Sequence, residues 1–205
     1  MAPVILAVVL AFLAAVVFVC LSFVLPSLTG APWVPSSNEI VRKMLLLSKV
    51  KPGEEVYDLG SGDGRIVIIA TKEFGARSTG IEIDVFRAFY SKLLIRLMGL
   101  GGKARVIWSS FYRVDLSRAD VVIVYLLPET NDKLMPKLEK ELRPTCRVVS
   151  HAFKFDWQLL DSDERARVYV YNPRPSASLH TAQFGASTSA VKSALNTDTA
   201  TIHDE

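Results

Sequence analysis

The chain opens on a stretch with no polar rhythm at all. Residues 4–25, between Pro3 and Pro26, carry no charge, and Cys20 and Ser22 are the only mildly polar positions. At about 1.5 Å per residue, a helix of that length spans about 30 Å, the depth of bilayer hydrocarbon. A cleaved signal peptide would need a basic start, an apolar core of about 7–15 residues and a small-residue cleavage site. None of these is present, so residues 1–25 read as a retained single-span anchor. Behind the span stand Arg42, Lys43, Lys49 and Lys51. That excess predicts a single-pass membrane protein whose following domain faces the cytoplasmic or matrix-like side. Residues 26–37 (PSLTGAPWVPSS) read as a short extended linker stiffened by Pro32 and Pro35.

Beyond the linker, apolar periods of helix and strand alternate. Ser36 with Glu39 three residues later predicts a capping box opening a helix through Lys49, with Ile40, Met44 and Leu47 on its apolar face. A strand over 55–59 and a helix over 65–74 follow, the helix in spite of the β-branched run from Ile66 to Ile69. The pattern continues with a strand 78–83, a helix 85–98, and strands 104–108 and 121–126. It ends with a helix 131–142, for which Asn131 is the expected N-cap, and strands 146–151 and 167–171. Pro136 is expected to shorten or kink that last helix. Such alternation implies an α/β fold, a doubly wound, mostly parallel sheet covered on both faces. Residues 172–205 are rich in Ser, Thr and Ala and read as a disordered tail.

Composition narrows the classes. Apolar residues are 50% of the chain, and 24 Lys+Arg stand against 21 Asp+Glu. A disordered polyelectrolyte is excluded, and a net charge of +3 is too weak to imply a nucleic-acid partner. No concentrated basic patch with interleaved aromatics shows in the sequence, so no nucleic acid is expected. Arg87, Lys92 and Arg96 read as a solvated helix face, with contact to anionic lipid the lesser option. Phe155 and Trp157 read as core or as cover for a pocket. Two cysteines, Cys20 and Cys146, have no evident reason to meet, and His151, His180 and His203 lack ligand spacing, so no metal is expected.

The chemistry concentrates after the first strand, in Asp58-Leu59-Gly60-Ser61-Gly62-Asp63-Gly64-Arg65. Alternate glycines let the backbone turn tightly and admit a ligand against main chain, at the N-terminus of the next helix. Glu82, at the end of the second strand, is placed to accept both hydroxyl hydrogens of a ribose. A nicotinamide dinucleotide site wants its third glycine one residue later than Gly64, and Asp58 suits an amino-acid ammonium better than a pyrophosphate. No Tyr-x-x-x-Lys follows for hydroxyl oxidation. The loop points to S-adenosylmethionine rather than NAD.

The segment from Asp58 to Arg65 resembles motif one of the class I S-adenosylmethionine-dependent methyltransferases. Further stretches are similar to a narrower group: Val34 to Met44, Tyr125-Leu126-Leu127-Pro128, Lys137 to Leu142 and Val148 to Phe153. Together they resemble the archaeal protein-lysine methyltransferases and the ATP synthase c-subunit lysine N-methyltransferase family. The resemblance implies a Rossmann-like methyltransferase domain over 38–171, in which Gly60, Ser61 and Gly62 contact the methionine moiety and Asp58 lies near its ammonium. It further implies that Glu82 holds the ribose and that Ser109, Ser110 and Phe111 flank the adenine. Ser110 departs from the Asp or Asn that many relatives carry there. Tyr125 to Pro128 would line the methyl-transfer end, and it is not the Asp/Asn-Pro-Pro-Tyr of base-amine methylation. No catalytic residue is assigned; Tyr125 and His151 are candidates. The implied activity is methylation of lysine side chains in a protein substrate at the membrane, membrane proteins included. A small-molecule or lipid methyltransferase, acting on a quinone or a headgroup amine, is the alternative, and a non-catalytic S-adenosylmethionine-binding module is a third.

Overall fold

The computed structural model describes residues 2–28 and 34–173. The expected disordered tail, from 174 onward, and linker residues 29–33 lie outside the described residues. The apolar opening is one uninterrupted helix, Ala2–Leu28 (α1), with no charged residue in its first or last turn. Its described side chains, which fall between 3 and 17, are exposed. Among the described residues, no helix is long and apolar enough to cross a membrane. The anchor therefore rests on the sequence pattern alone.

The next helix, Asn38–Leu47 (α2), starts one residue later than its sequence signal suggests. Ser37 is the cap, its Oγ accepting from Ile40 N at 3.2 Å. Glu39 therefore misses the third helical position, and the capping box does not form. Ser36 is released from capping and turns inward, where it is buried.

From there helix and strand alternate as the pattern predicts: β1 (Glu55–Leu59), α3 (Arg65–Phe74), β2 (Arg77–Glu82), α4 (Val85–Leu97) and β3 (Ala104–Trp108). A short 3-10 turn, Phe111–Arg113, precedes β4 (Val121–Val124), α5 (Pro128–Glu141), β5 (Arg147–His151), β6 (Leu159–Asp163) and β7 (Val168–Tyr171). One seven-stranded sheet results, in the order β3-β2-β1-β4-β5-β7-β6. The first five strands pair in parallel, and β7 runs antiparallel to both β5 and β6. Strand order reverses between β1 and β4, and in such sheets ligands bind at the carboxyl ends beside that reversal.

Period-two alternation sorts the core. Val56, Ile123, Val149 and Val170 face α2 and α3, meeting Val41, Met44, Ile66 and Ile69. Tyr57, Leu59, Val122 and Val148 face the other way, onto Leu134 and Leu138 of α5. All four residues of β4 are buried, as a central parallel strand covered on both sides requires. Burial of Ile66, Val67 and Ile69 keeps α3 helical against its β-branched propensity.

Three local readings need correction. Helix α5 starts at Pro128, whose ring presets the first helical φ, so Asn131 is not its cap. Asn131 lies inside the helix and is buried, with neither amide atom hydrogen-bonded. Pro136 sits within α5 without ending it. Strand β6 is an additional element: largely exposed and rich in Asp, it carries no apolar alternation and is a strand because β7 supplies its partners.

Leu138→Ala should lower the folding free energy by about 2–5 kcal/mol, since a fully buried side chain leaves a cavity, whereas exposed Leu46→Ala should cost under about 0.5 kcal/mol. Denaturant midpoints of the two variants test the core assignment, and equal losses would refute it.

Candidate functional site

Between β1 and α3 the chain must turn while β2 and α4 press on the turn from two sides. A Cβ at Gly80 of β2 would stand 2.6 Å from Ser61 Oγ and 2.7 Å from Ser61 Cβ, so the turn rests directly on strand backbone. Gly64 caps α3 at φ +78°, a region that costs other residues strain, and an added Cβ would meet Ser91 Cβ at 3.0 Å. Ser91 Oγ lies 2.8 Å from both Gly62 O and Arg87 O, tying the turn to α4.

Four amide groups of this turn, those of Gly60, Ser61, Gly62 and Gly64, are already committed. Ile81 O accepts from Gly60 N at 2.9 Å and from Ser61 N at 3.0 Å, and Gly64 N donates to Ser61 O. Glu82 Oε2 accepts from Gly62 N at 2.7 Å, while its Oε1 accepts from Asp84 N at 2.9 Å. A pyrophosphate would need a row of free N–H groups here. Glu82, buried, still has lone pairs for further donors, since a carboxylate accepts at about four sites.

Asp58 sharpens the preference. It is buried, and its Oδ2 has no hydrogen-bond partner. Burial, helped by the negative charges of Glu82 and Asp63, pushes its carboxyl up to about 8. An unpartnered carboxyl beside two other carboxylates is a place for a cation, as the ammonium of an amino-acid moiety would be. The residues present therefore fit a ligand carrying an ammonium at one end and ribose hydroxyls at the other.

Of the residues read as cofactor contacts, Asp58, Gly60, Ser61 and Gly62 of the turn, Glu82, and Ser110 with Phe111 line one cavity of about 460 Å³, and Ser109 does not. Ser110 Oγ caps the 3-10 turn by accepting from Tyr112 N at 3.4 Å and can still donate its own hydrogen. Tyr125 lines the cavity as well. Its ring centroid is 4.3 Å from that of His151.

A family model for the ANTKMT methyltransferase domain matches residues 58–160. The chain belongs to this methyltransferase family. It is 41% identical over 148 residues to a protein-lysine N-methyltransferase of Saccharolobus islandicus, an alignment covering 68% of this chain and 92% of that one. It is 34% identical over 145 residues to the ATP synthase c-subunit lysine N-methyltransferase of Xenopus laevis, covering 70% of this chain and 63% of the relative. The chain thus spans under two thirds of the Xenopus relative's length. Among solved structures, an RNA methyltransferase from Salinibacter ruber in complex with S-adenosyl-L-homocysteine matches with a TM-score of 0.65 at 37% identity, over 70% of this chain and 95% of that one. The protein is an S-adenosylmethionine-dependent methyltransferase of class I, Rossmann-like architecture.

In this methyltransferase the two catalytic candidates stand in different positions. Tyr125 faces the cavity, whereas His151 is not among its lining residues. His151 Nδ1 instead lies 3.1 Å from Ser36 Oγ. Its half-buried ring is held below its ordinary pKa by burial and by the charge of Arg167, which keeps it neutral at pH 7. His151 packs against Tyr125 and lies beside Ser36, both of which line the cavity. The motif reading missed part of the wall: Val34, Pro35 and Ser36 line the cavity, as do Thr130 and Lys133 of α5. Arg65 fastens that first segment, donating to Ser36 O at 2.6 Å while pairing with Asp63 at 2.6 Å. The signal was available, because the stretch from Val34 to Met44 is one of those carrying the family resemblance.

The state of Asp58 should show in cofactor binding. Its carboxyl, raised to about 8, is about one-tenth ionised at pH 7, while an α-ammonium of pKa about 7.7–8.0 loses its proton over the same range, so affinity should rise only about two- to threefold from pH 7 to a maximum near pH 8 and fall above it. Because the folded-state value lies above the unfolded one, its contribution to ligand-free stability is lost as pH rises through about 8. Asp58→Asn should remove the rise in affinity and this loss of stability. Calorimetric titrations and melting curves across that range check them, and an unchanged slope in the variant refutes the assignment.

Proposed function

We propose that the protein is a protein-lysine N-methyltransferase that works at a membrane, held there by the apolar segment 1–25 with the domain on the cytoplasmic or matrix-like side. The observation that carries the substrate class is the archaeal relative, a protein-lysine N-methyltransferase matched over 92% of its length. The uncharged run and the basic flank of Arg42, Lys43, Lys49 and Lys51 support the location.

When bound, S-adenosylmethionine supplies an electrophilic methyl group on a sulfonium. This chain's residues hold and aim it: Asp58 at the ammonium end, Gly60 to Gly62 against the methionine backbone, Glu82 at the ribose hydroxyls, Ser110 and Phe111 beside the base. Displacement at a methyl needs alignment and dryness more than a base. A lysine amine at about 10.4 must shed a proton before it can attack, and apolar walls disfavour the ammonium. Ile66, Phe111, Tyr125 and Leu126 supply such walls.

RNA is the second reading, supported by the Salinibacter neighbour. The segment Tyr125-Leu126-Leu127-Pro128 lacks the polar group that would grip an exocyclic base nitrogen, which favours the protein substrate.

Full-length protein incubated with labelled methyl donor and a membrane-containing lysate should place label in material that survives nuclease and yields methyl-lysine on hydrolysis. Label removed by nuclease would establish the RNA reading, and label extracted into solvent a lipid or quinone acceptor. Glu82→Ala should weaken cofactor binding about ten- to hundredfold, the value of one charge-assisted hydrogen-bonded clamp, and undiminished binding would remove Glu82 from the site.

A further inference from the structure

Helix α4 is apolar on the wrong side as well as the right one. Ala88, Ser91 and Ile95 are buried against the fold. At about 100° per residue, Phe86, Phe89, Tyr90, Leu93 and Leu97 form a second stripe roughly opposite them. These five are 37%, 69%, 53%, 44% and 74% exposed. The stripe runs on at the helix's N-terminal end into Ile83 and Trp108, 68% and 61% exposed, where Trp108 Nε1 donates to Ile83 O at 3.0 Å. Ile83 also lines the cofactor cavity, so the apolar strip reaches the mouth of the site.

The exposed charges of α4 itself are basic: Lys92 and Arg96 flank the stripe, and the helix carries no Asp or Glu between 85 and 97. Lys92 and Arg96 are exposed, as a solvated face requires, and they border an exposed aromatic and aliphatic strip, whereas Arg87 is turned to Glu82 and Asp84 and is not part of that face. Phe and Leu on one arc, Lys and Arg beside it and a Trp with a bonded polar edge are the marks of a helix lying in a lipid interface.

We propose that the outer face of α4, with Ile83 and Trp108, rests in an anionic bilayer surface and presents the cavity mouth to it. Two other occupants fit less well. A second copy on the same face would bring Lys92 and Arg96 against their like. RNA could stack on Phe89, Tyr90 or Trp108, but Ile83, Leu93 and Leu97 give a base no ring to stack on and a bilayer buries them. The proposal rests on membrane work by this domain but not on the anchor, since a peripheral contact holds without a span.

The test uses the full chain with Cys20 and Cys146 replaced by alanine and a nitroxide on Leu93→Cys, in phosphatidylcholine vesicles with and without phosphatidylglycerol. A label at exposed Lys140→Cys on α5 is the control. With phosphatidylglycerol present, the label at 93 should be open to oxygen and shielded from a water-soluble nickel chelate, while the label at 140 meets both. Lys92→Gln with Arg96→Gln should shift docking about thirtyfold toward release, from about 1 kcal/mol for each cation near the surface. A label at 93 as wet as the control overturns the proposal. Shielding from both reagents also overturns it, meaning that protein covers the face, as does a label that responds to a mixed-sequence RNA oligonucleotide and not to lipid. Alkaline carbonate separates the two membrane readings. Vesicle binding that survives the wash while position 93 stays wet keeps the anchor and sinks this proposal. Binding that is stripped, from vesicles where position 93 had met lipid, does the reverse.

Discussion

The contact of Glu82 with the amide of Gly62 is the constraint on which the site is built. A carboxylate buried at the end of β2 must find donors, because leaving a charge unpaired away from water is costly. It finds them in the turn after β1 and in the residue two beyond it, Asp84. That arrangement demands a turn lying within hydrogen-bond reach of β2, hence no side chain at Gly80 and a left-handed step at Gly64. The residue whose remaining lone pairs suit ribose hydroxyls is therefore also the brace of the turn.

Electrostatics follow from that geometry. Bringing Asp58, Asp63 and Glu82 together would be unfavourable in isolation, and the protein resolves each differently. Asp63 is neutralised by Arg65, Glu82 is stabilised by two amides, and Asp58 is left with an empty oxygen and a raised pKa. The one carboxyl of the three with an unpartnered buried oxygen, Asp58, is the one whose surroundings suit a cationic group, and a cluster of three acids suits a positively charged ligand better than a pyrophosphate.

How much of this the residues disclose depends on whether the signal is local. The alternation of helix and strand, the turn from Asp58 to Arg65 and the position of Glu82 at the end of β2 are all written within short windows, and one cavity gathers Asp58, Gly60, Gly62 and Glu82. Ser36 shows the opposite case. Its spacing to Glu39 is a sound capping signal, yet Ser37 serves equally well, and the buried pocket beside His151 decides between them. Asn131 likewise has a cap's chemistry but follows a proline that starts the helix sooner. Strand β6 has no signal of its own, being defined by the neighbour it borders. The outer stripe of α4 was hidden for another reason: an apolar residue in a helix reads as core until a second apolar arc shows that only one of them can be.

The fastening of Ser36 by Arg65 sets where the catalytic unit begins. By element boundaries the domain starts at α2, and a fragment cut there would keep every strand and every helix that packs on the sheet. It would also lack Val34, Pro35 and Ser36, which form part of the cavity wall. Arg65 would lose its carbonyl acceptor and His151 its hydroxyl neighbour. The functional boundary of this enzyme therefore lies upstream of its structural one, within the segment that leads toward α1.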